Sequence, residues 1–203
     1  MHLSSLYPDT RDVLEKLNQL DFLEGYRLVG GTALALHLNH RKSIDLDFFS
    51  VETVYPERVL EVLEQNFEVT INQKWKSGML ATVNGVKFDL IRHNYPWLEE
   101  AHEFENLSIA SLKDIAAMKV NAVCGRGSKK DFIDIYFLLK HFAMREMINL
   151  FEEKYSNHSK IMVYKSLLYF EDAEDDLEPE MIEPVEWLKV KSKITKEVTK
   201  LGV

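Results

Sequence analysis

The stretch YRLVGGTALALHLNHRKSIDLDFFS, residues 26–50, decides the fold because it joins two strand patterns through a glycine pair and a helix. Its last part, residues 44–49, alternates acidic with apolar side chains. Successive side chains of a strand point to opposite faces, so Asp45 and Asp47 share one face. The apolar members share the other face: Ile44, Leu46 and Phe48. Like charges repel each other, and the acidic face of this strand therefore needs either a counter-charge or contact with solvent.

The first half of the stretch predicts a strand, a turn and a helix. Residues 26–29 are typical of a short buried strand, Gly30 and Gly31 of a tight turn, and residues 32–38 of a helix rich in Ala and Leu. Such a turn presents backbone N–H groups, and here the Thr32 hydroxyl, to phosphate oxygens. A glycine pair alone more often marks a chain reversal, but the Asp-x-Asp pattern that follows makes it a candidate triphosphate site.

The rest of the chain predicts an α+β fold. A helix precedes Gly25, another spans 56–66, and three strand patterns follow, divided by Ser-Gly and Asn-Gly turn signals: 67–75, 79–84 and 86–93. After Pro96 the pattern becomes helical up to the end of the chain. We therefore expect an N-terminal mixed or antiparallel sheet with helices over 1–105, and a C-terminal bundle-like helical region over 106–203.

Composition limits the function classes. The chain has 203 residues and a net charge of −8, which disfavours a protein that coats nucleic acid, so any polyanion must be held locally. Candidate patches are the lysines of 189–200 and the fragment 40–42, although a solvated acidic loop (171–183) followed by a solvated helix is the simpler interpretation. No stretch of about 20 apolar residues and no signal-peptide pattern occurs, and a single Cys124 allows no internal disulfide. These features predict a cytoplasmic protein without membrane contact.

The acidic strand suggests a metal site. A divalent cation such as Mg²⁺, which prefers oxygen ligands, relieves the repulsion between Asp45 and Asp47. Asp89 lies opposite the apolar residues of its own strand pattern, which we expect to form a nearby antiparallel strand. It is a third candidate ligand, or a base that takes a proton from an acceptor. Three carboxylates with two such ions suit phosphoryl or nucleotidyl transfer. The alternative is that the Asp-x-Asp carboxylates merely face solvent.

Three segments resemble one family: GGTALALHLNHRKSIDLDFF, DIAAMKVNAVCGRGSKKDFIDIYFLL and YFEDAE. They are similar to polymerase-beta-like nucleotidyltransferases, specifically the AbiEii/AbiGii type of toxin from bacterial abortive-infection and toxin–antitoxin systems, over about residues 26–185. The resemblance implies a nucleotidyltransferase domain over 1–105, completed at the nucleotide site by the helical domain, and metal ligation by Asp45, Asp47 and Asp89. It also implies contacts between the triphosphate and Arg41 and Ser43.

Lys119 lies on the apolar stripe of a predicted helix that starts near Ser111. Either it extends to the helix edge or it meets anionic groups, and the resemblance implies that it binds the phosphates of the nucleotide. In the next predicted helix, 129–141, Asp134 requires a partner, with Lys119 and Arg126 as candidates. Ser128 and Asp131 fit a capping box, while the resemblance places Asp131 in the active site.

The seven histidines show no repeated ligand spacing, which disfavours a zinc site: His2, His37, His40, His93, His102, His141 and His158. His40, beside the acidic strand, is interpreted as structural. No serine–histidine–aspartate set or reactive cysteine is indicated.

These patterns lead to one hypothesis and two rivals. The hypothesis is a Mg²⁺- or Mn²⁺-dependent enzyme that transfers NMP from an NTP to an acceptor hydroxyl, and the resemblance implies a toxin with RNA (such as tRNA) or protein as acceptor and a cognate antitoxin as partner. The first rival is an antibiotic-type enzyme that acts on small molecules. The second is a catalytically silent binding module of the same fold.

Overall fold

The computed structural model describes residues 1–20, 22–155 and 159–202, and the chain divides into two units at Ser111. In its described residues, the first unit begins with a short 3-10 turn, which three α-helices and seven strands follow. Its helices are α1 (Pro8–Asn18), α2 (Gly30–Leu38) and α3 (Pro56–Asn66). Its strands are β1 (Arg27–Leu28), β2 (Leu46–Ser50), β3 (Val69–Trp75), β4 (Gly78–Val83), β5 (Val86–Arg92), β6 (His102–Phe104) and β7 (Leu107–Ile109).

Among the described residues, the seven strands form one mixed sheet in the order β3-β4-β5-β2-β1-β7-β6. Strand β2 pairs parallel with β5 and antiparallel with β1, which pairs parallel with β7. Asn84 and Gly85 join β4 to β5 with φ values of 47° and 81°, as a two-residue hairpin of the Asn-Gly type requires. The predicted α+β class is confirmed, and so is this hairpin.

Burial alternates along β2, which sets its two faces. Leu46 and Phe48 are buried, while Asp47 and Phe49 on the opposite face are partly exposed. The prediction for Ile44 was wrong, because this residue precedes β2 and is 55% exposed. The Asp-x-Asp face therefore borders solvent, and the other face of β2 packs into the core of the first unit.

Two predictions about local structure were wrong. Gly30 and Gly31 are not a separate turn, because they form the first turn of α2. The segment after Pro96 is not helical throughout, because it forms β6 and β7 before the helices begin. These strands were missed because they are only three residues long, and β7 pairs not only with β6 but also with β1, which lies far away in sequence.

The second unit is helical in its described part. Its elements are α4 (Leu112–Gly125), α5 (Lys129–Leu138), α6 (Met144–Lys154), α7 (Lys160–Leu168), the short α8 (Glu171–Glu174) and α9 (Trp187–Thr199). The residue expected to mark the domain boundary, 105, lies between β6 and β7 in the first unit. None of the helices found in the described residues has the length and apolar character of a membrane span.

The acidic segment 171–183 is more ordered than a solvated loop. It begins with α8, and Lys129 Nζ donates hydrogen bonds to the backbone oxygens of Glu174 (3.0 Å) and Asp176 (2.6 Å). Trp187 Nε1 donates to a Glu174 carboxylate oxygen at 2.9 Å. Sequence pattern could not reveal these contacts, because a charge run looks the same whether or not a distant lysine binds its backbone.

Candidate active site

The carboxylates of Asp47 and Asp89 lie on neighbouring strands. The expected antiparallel placement of the Asp89 strand was wrong, because β5 pairs parallel with β2. The two residues occupy partner positions of this register, and partner residues point to the same face of a sheet. Asp45 lies one residue before β2 and is half-buried. The sheet thus brings Asp89, an isolated acid in the sequence, beside the Asp-x-Asp pattern.

Lys87 supplies a counter-charge that sequence reasoning missed. Its Nζ lies 2.8 Å from Asp89 Oδ2. Partial burial acts against its charge, but the hydrogen bond from Lys87 to Asp89 and the charges of Asp47, Asp89 and Asp45 together raise its pKa. Its position two residues before Asp89, on the same face of β5, was the signal that could have identified it. The acidic face is therefore partly neutralised by an ammonium group.

One carboxylate oxygen on the acidic face remains unsatisfied. Oδ1 of Asp89 is buried and has no hydrogen-bond partner, and an unsatisfied buried carboxylate oxygen is costly. Across the described residues, however, no three acidic, histidine or cysteine side chains are already gathered as a metal site. The residues suit a divalent cation by chemistry, since all are hard oxygen donors, and binding would require Lys87 to give way.

Gly30 allows the first turn of α2 to lie close to Asp47 of β2. A Cβ built on Gly30 would collide with the Asp47 carboxylate, and the φ of Gly30 is +71°, which side chains rarely adopt. The first turn of α2 therefore lies directly against Asp47. Only glycine satisfies both the conformation and the contact.

Arg41, Ser43 and Thr32 surround the same helix end. A Cβ on Gly31 would lie 2.5 Å from Arg41 Nη2, so the guanidinium borders the first turn of α2. Thr32 Oγ1 donates to the backbone oxygen of Asp45 and lies 2.9 Å from the hydroxyl of Ser43, from which it can accept. A guanidinium beside a helix N-terminus makes a local positive field that favours an anion such as phosphate. The hydroxyl bonds hold the connection between α2 and β2 in place.

In the second unit, Lys119 is held by two acids. Its Nζ lies 3.0 Å from Asp131 Oδ1 and 2.6 Å from Asp134 Oδ2, and the side chains of both acids have no exposed surface. The expectation that Asp134 pairs with Lys119 is confirmed. The lysine is 4% exposed, so it does not extend to the helix edge. It meets carboxylates in this structure, and its predicted contact with nucleotide phosphates stays a prediction.

Asp131 is also bound by Arg126 and Ser128. Arg126 Nε and Nη2 donate to its two oxygens at 2.7 and 3.0 Å, and the Ser128 hydroxyl donates at 2.7 Å. Burial alone would raise the pKa of Asp131, but the charge of Lys119, with Arg126 and Ser128, lowers it to about 2. The capping-box prediction was wrong, since Ser128 makes no side-chain cap bond and its hydroxyl binds the Asp131 carboxylate instead.

Histidine and cysteine chemistry is not indicated at these positions. His40 is fully buried beside the acidic strand, and His37 Nε2 lies 2.9 Å from the backbone oxygen of Ala110. Burial raises the pKa of the Cys124 thiol, which disfavours a thiolate. His158 lies outside the described residues.

Comparison with known proteins identifies the family. The profile described as nucleotidyl transferase AbiEii toxin, type IV TA system, matches residues 12–97 and 82–200. The chain belongs to the AbiEii nucleotidyltransferase toxin family. An uncharacterised protein of Aquifex aeolicus (strain VF5) is 36% identical over 205 residues, with 94% of this chain and 98% of that protein covered.

Two solved structures from Helicobacter pylori share the fold of this AbiEii family member. One, described as a putative nucleotidyltransferase, has a TM-score of 0.60 at 18% identity and covers 94% of this chain and 92% of its own. The other, JHP933, has a TM-score of 0.58 at 17% identity, with coverages of 97% and 93%. At these identities the likeness concerns the fold, and the family assignment rests on the sequence match.

Proposed function

We propose that this nucleotidyltransferase moves an NMP group from an NTP to a hydroxyl of an RNA acceptor such as tRNA, in the cytoplasm, with a cognate antitoxin as its partner. Mg²⁺, or Mn²⁺, is held by Asp45, Asp47 and Asp89. The observation that supports the proposal best is the register pair of Asp47 and Asp89, with an unpartnered buried oxygen on Asp89. Neighbouring carboxylates with an unsatisfied oxygen destabilise the fold, but they suit the binding of a cation for transfer chemistry.

The residues of the first unit have separate tasks in this proposal. Gly30 leaves the space for the Asp47 carboxylate, and the first turn of α2 with Arg41 attracts the phosphates. Asp89 contributes Oδ1 as a ligand. The alternative role for Asp89 is the base that takes the proton of the acceptor hydroxyl, in place of binding the metal. When bound, the metal lowers the pKa of the attacking hydroxyl and neutralises the leaving pyrophosphate.

The residues of the second unit follow the family resemblance. Lys119 binds the nucleotide phosphates in exchange for one of its carboxylate partners, and Asp131 orients the ammonium group. The ammonium group can exchange one partner for the other because phosphate oxygens and carboxylates are both anionic hydrogen-bond acceptors. The effect of replacing Lys119 on NTP binding should therefore be measured separately from its effect on turnover.

The test incubates the purified protein and Mg²⁺ with total RNA and cellular protein, using each α-labelled NTP in turn. Asp47→Asn should abolish labelling, whereas Asp9→Asn, an exposed acid on α1, should label as the unaltered protein does. Label in RNA supports the proposal, and label in protein or in a small molecule contradicts the acceptor assignment. Mn²⁺ titration of the same variants provides a readout without turnover, and equal Mn²⁺ affinity in Asp47→Asn would argue against the metal assignment.

A further inference from the structure

A cavity of about 490 Å³ opens in the second unit, lined by residues of α4, α7 and α8 and the turn after α4. Its volume lies in the range of small-molecule sites, roughly 300–1,000 Å³. The metal-binding residues of the proposed function do not line it. Its lining combines carbonyl acceptors, two cations and one aromatic ring.

The carbonyl acceptors come from the end of α4. The N–H groups of Arg126 and Gly127 both bond to the backbone oxygen of Ala122, and Gly127 has a φ of +55°. The last carbonyls of a helix have no intrahelical donor, and three residues at this end line the cavity: Val123, Cys124 and Gly125. A Cβ on Gly125 would meet nothing within 4 Å, so this part of the wall is open to a flat ligand.

The cations are Arg126 and Lys165. The Arg126 side chain is 62% exposed although its guanidinium binds Asp131, and Lys165 is exposed on α7. Asp172 is the acidic side chain on the cavity wall, and the Tyr169 hydroxyl donates to its Oδ1 at 3.4 Å. The positive charges therefore exceed the negative ones among the side chains that line the cavity.

The aromatic ring is Tyr169, which is 50% exposed. The charges of Asp172 and Glu171 raise the pKa of its hydroxyl, so the ring stays a neutral phenol at physiological pH. An exposed ring beside cations is the arrangement by which proteins stack unpaired bases and hold the adjoining phosphates.

We propose that this cavity binds one unpaired nucleotide of the RNA acceptor. The base stacks on Tyr169, its amino group faces the carbonyls at the end of α4, and the adjoining phosphate is bound by Arg126 and Lys165. This inference rests on the proposed function, since it assigns a place to the RNA strand. A peptide fits less well because it offers neither a flat amino-bearing ring nor a phosphate.

The guanidinium of Arg126 gives the cavity a link to Asp131. One side chain lines the cavity and binds the buried acid at 2.7 and 3.0 Å. A phosphate that draws Arg126 toward the cavity would weaken its bonds to Asp131, and Lys119 would then neutralise this acid alone. Occupation of the cavity is thereby coupled to the charges around Lys119.

The test uses a fluorescent five-nucleotide single-stranded RNA whose 3′ end lacks hydroxyl groups, so that binding is measured without transfer. Tyr169→Ala should weaken binding about tenfold, as expected when one base loses its stacking partner, and Tyr169→Phe should stay within about twofold. Lys165→Gln should make the slope of log affinity against log salt shallower by about 0.7, as one lost phosphate contact predicts. Tyr55→Ala, which removes a ring that is 58% exposed in the first unit, is the matched control.

Equal RNA affinity in Tyr169→Ala and the unaltered protein overturns the proposal, and so does a complete lack of RNA binding. An unchanged salt slope in Lys165→Gln overturns the phosphate contact. The outcome is distinct from that of the labelling test, because RNA binding that depends on Tyr169 supports the cavity even if no label is transferred. If RNA is labelled but RNA binding does not depend on Tyr169, the proposed function is supported and the cavity is rejected as an RNA site.

Discussion

Replacement of Lys119 by Met tests how the second unit balances its buried charges. Met preserves most of the apolar stem and removes the ammonium group that lies 3.0 Å from Asp131 and 2.6 Å from Asp134. Breaking a buried ion pair by removal of one partner costs about 3–5 kcal/mol. We expect about 3 kcal/mol, at the lower end, because Arg126 and Ser128 continue to bind Asp131.

Thermal unfolding followed by circular dichroism measures this loss. For a chain of this size about 3 kcal/mol corresponds to a fall in Tm of roughly 6–12 °C. The double variant Lys119→Met/Asp134→Asn should recover about 2 kcal/mol, because the second change removes the charge of a buried carboxylate that Lys119 no longer neutralises. Lys196→Met, on the exposed side of α9, should stay within about 0.5 kcal/mol of the unaltered protein.

Two results would refute this reasoning. The first is an unchanged Tm in Lys119→Met, which would mean that the ammonium contributes no net stability to the helical unit. The second is a double variant less stable than the single one, which would mean that Asp134 depends on partners other than Lys119. Loss of NTP binding in Lys119→Met with an unchanged Tm would indicate a lysine kept for the nucleotide alone.

Three further predictions concern the acidic face and Asp131. Gly30→Ala should lower Mn²⁺ affinity at least about tenfold in a titration, because the new Cβ collides with the Asp47 carboxylate. Gly85→Ala is the control, since Gly85 also has a positive φ but open space around it. It should lower the free energy of unfolding by only about 1 kcal/mol and leave Mn²⁺ affinity unchanged. Because the pKa of Asp131 is lowered to about 2, its contribution of about 2 kcal/mol is present above pH 4 and lost as pH falls toward 2. Urea unfolding at pH 5 and 2.5 measures it, and Asp131→Asn should show less pH dependence; an identical dependence would exclude Asp131 as its source. Lys87→Gln should raise Mn²⁺ affinity about fivefold, since an ammonium no longer competes for Asp89, and an unaltered affinity would show that Lys87 does not compete.

The sequence by itself determined the local features of this protein. Period-two alternation placed Asp47 opposite the core residues of β2, and Asn84-Gly85 specified a hairpin because both residues tolerate positive φ. The bounds of α3 agree with the expected 56–66, helped by Pro56 at its first turn. These features depend on residues only a few positions apart, because backbone sterics act between neighbours in the chain. They can therefore be predicted from one segment of sequence.

Only the tertiary structure decided which distant residues meet. The parallel pairing of β2 with β5 placed Asp89 beside Asp47, and it brought Lys87, which no pattern singled out, to the same acidic face. Lys119 could have reached solvent or a ligand by its sequence alone, but the packing of α4 and α5 buried it between two acids. Such contacts depend on how whole elements bury their apolar faces, and that free energy is summed over many residues far apart in the chain.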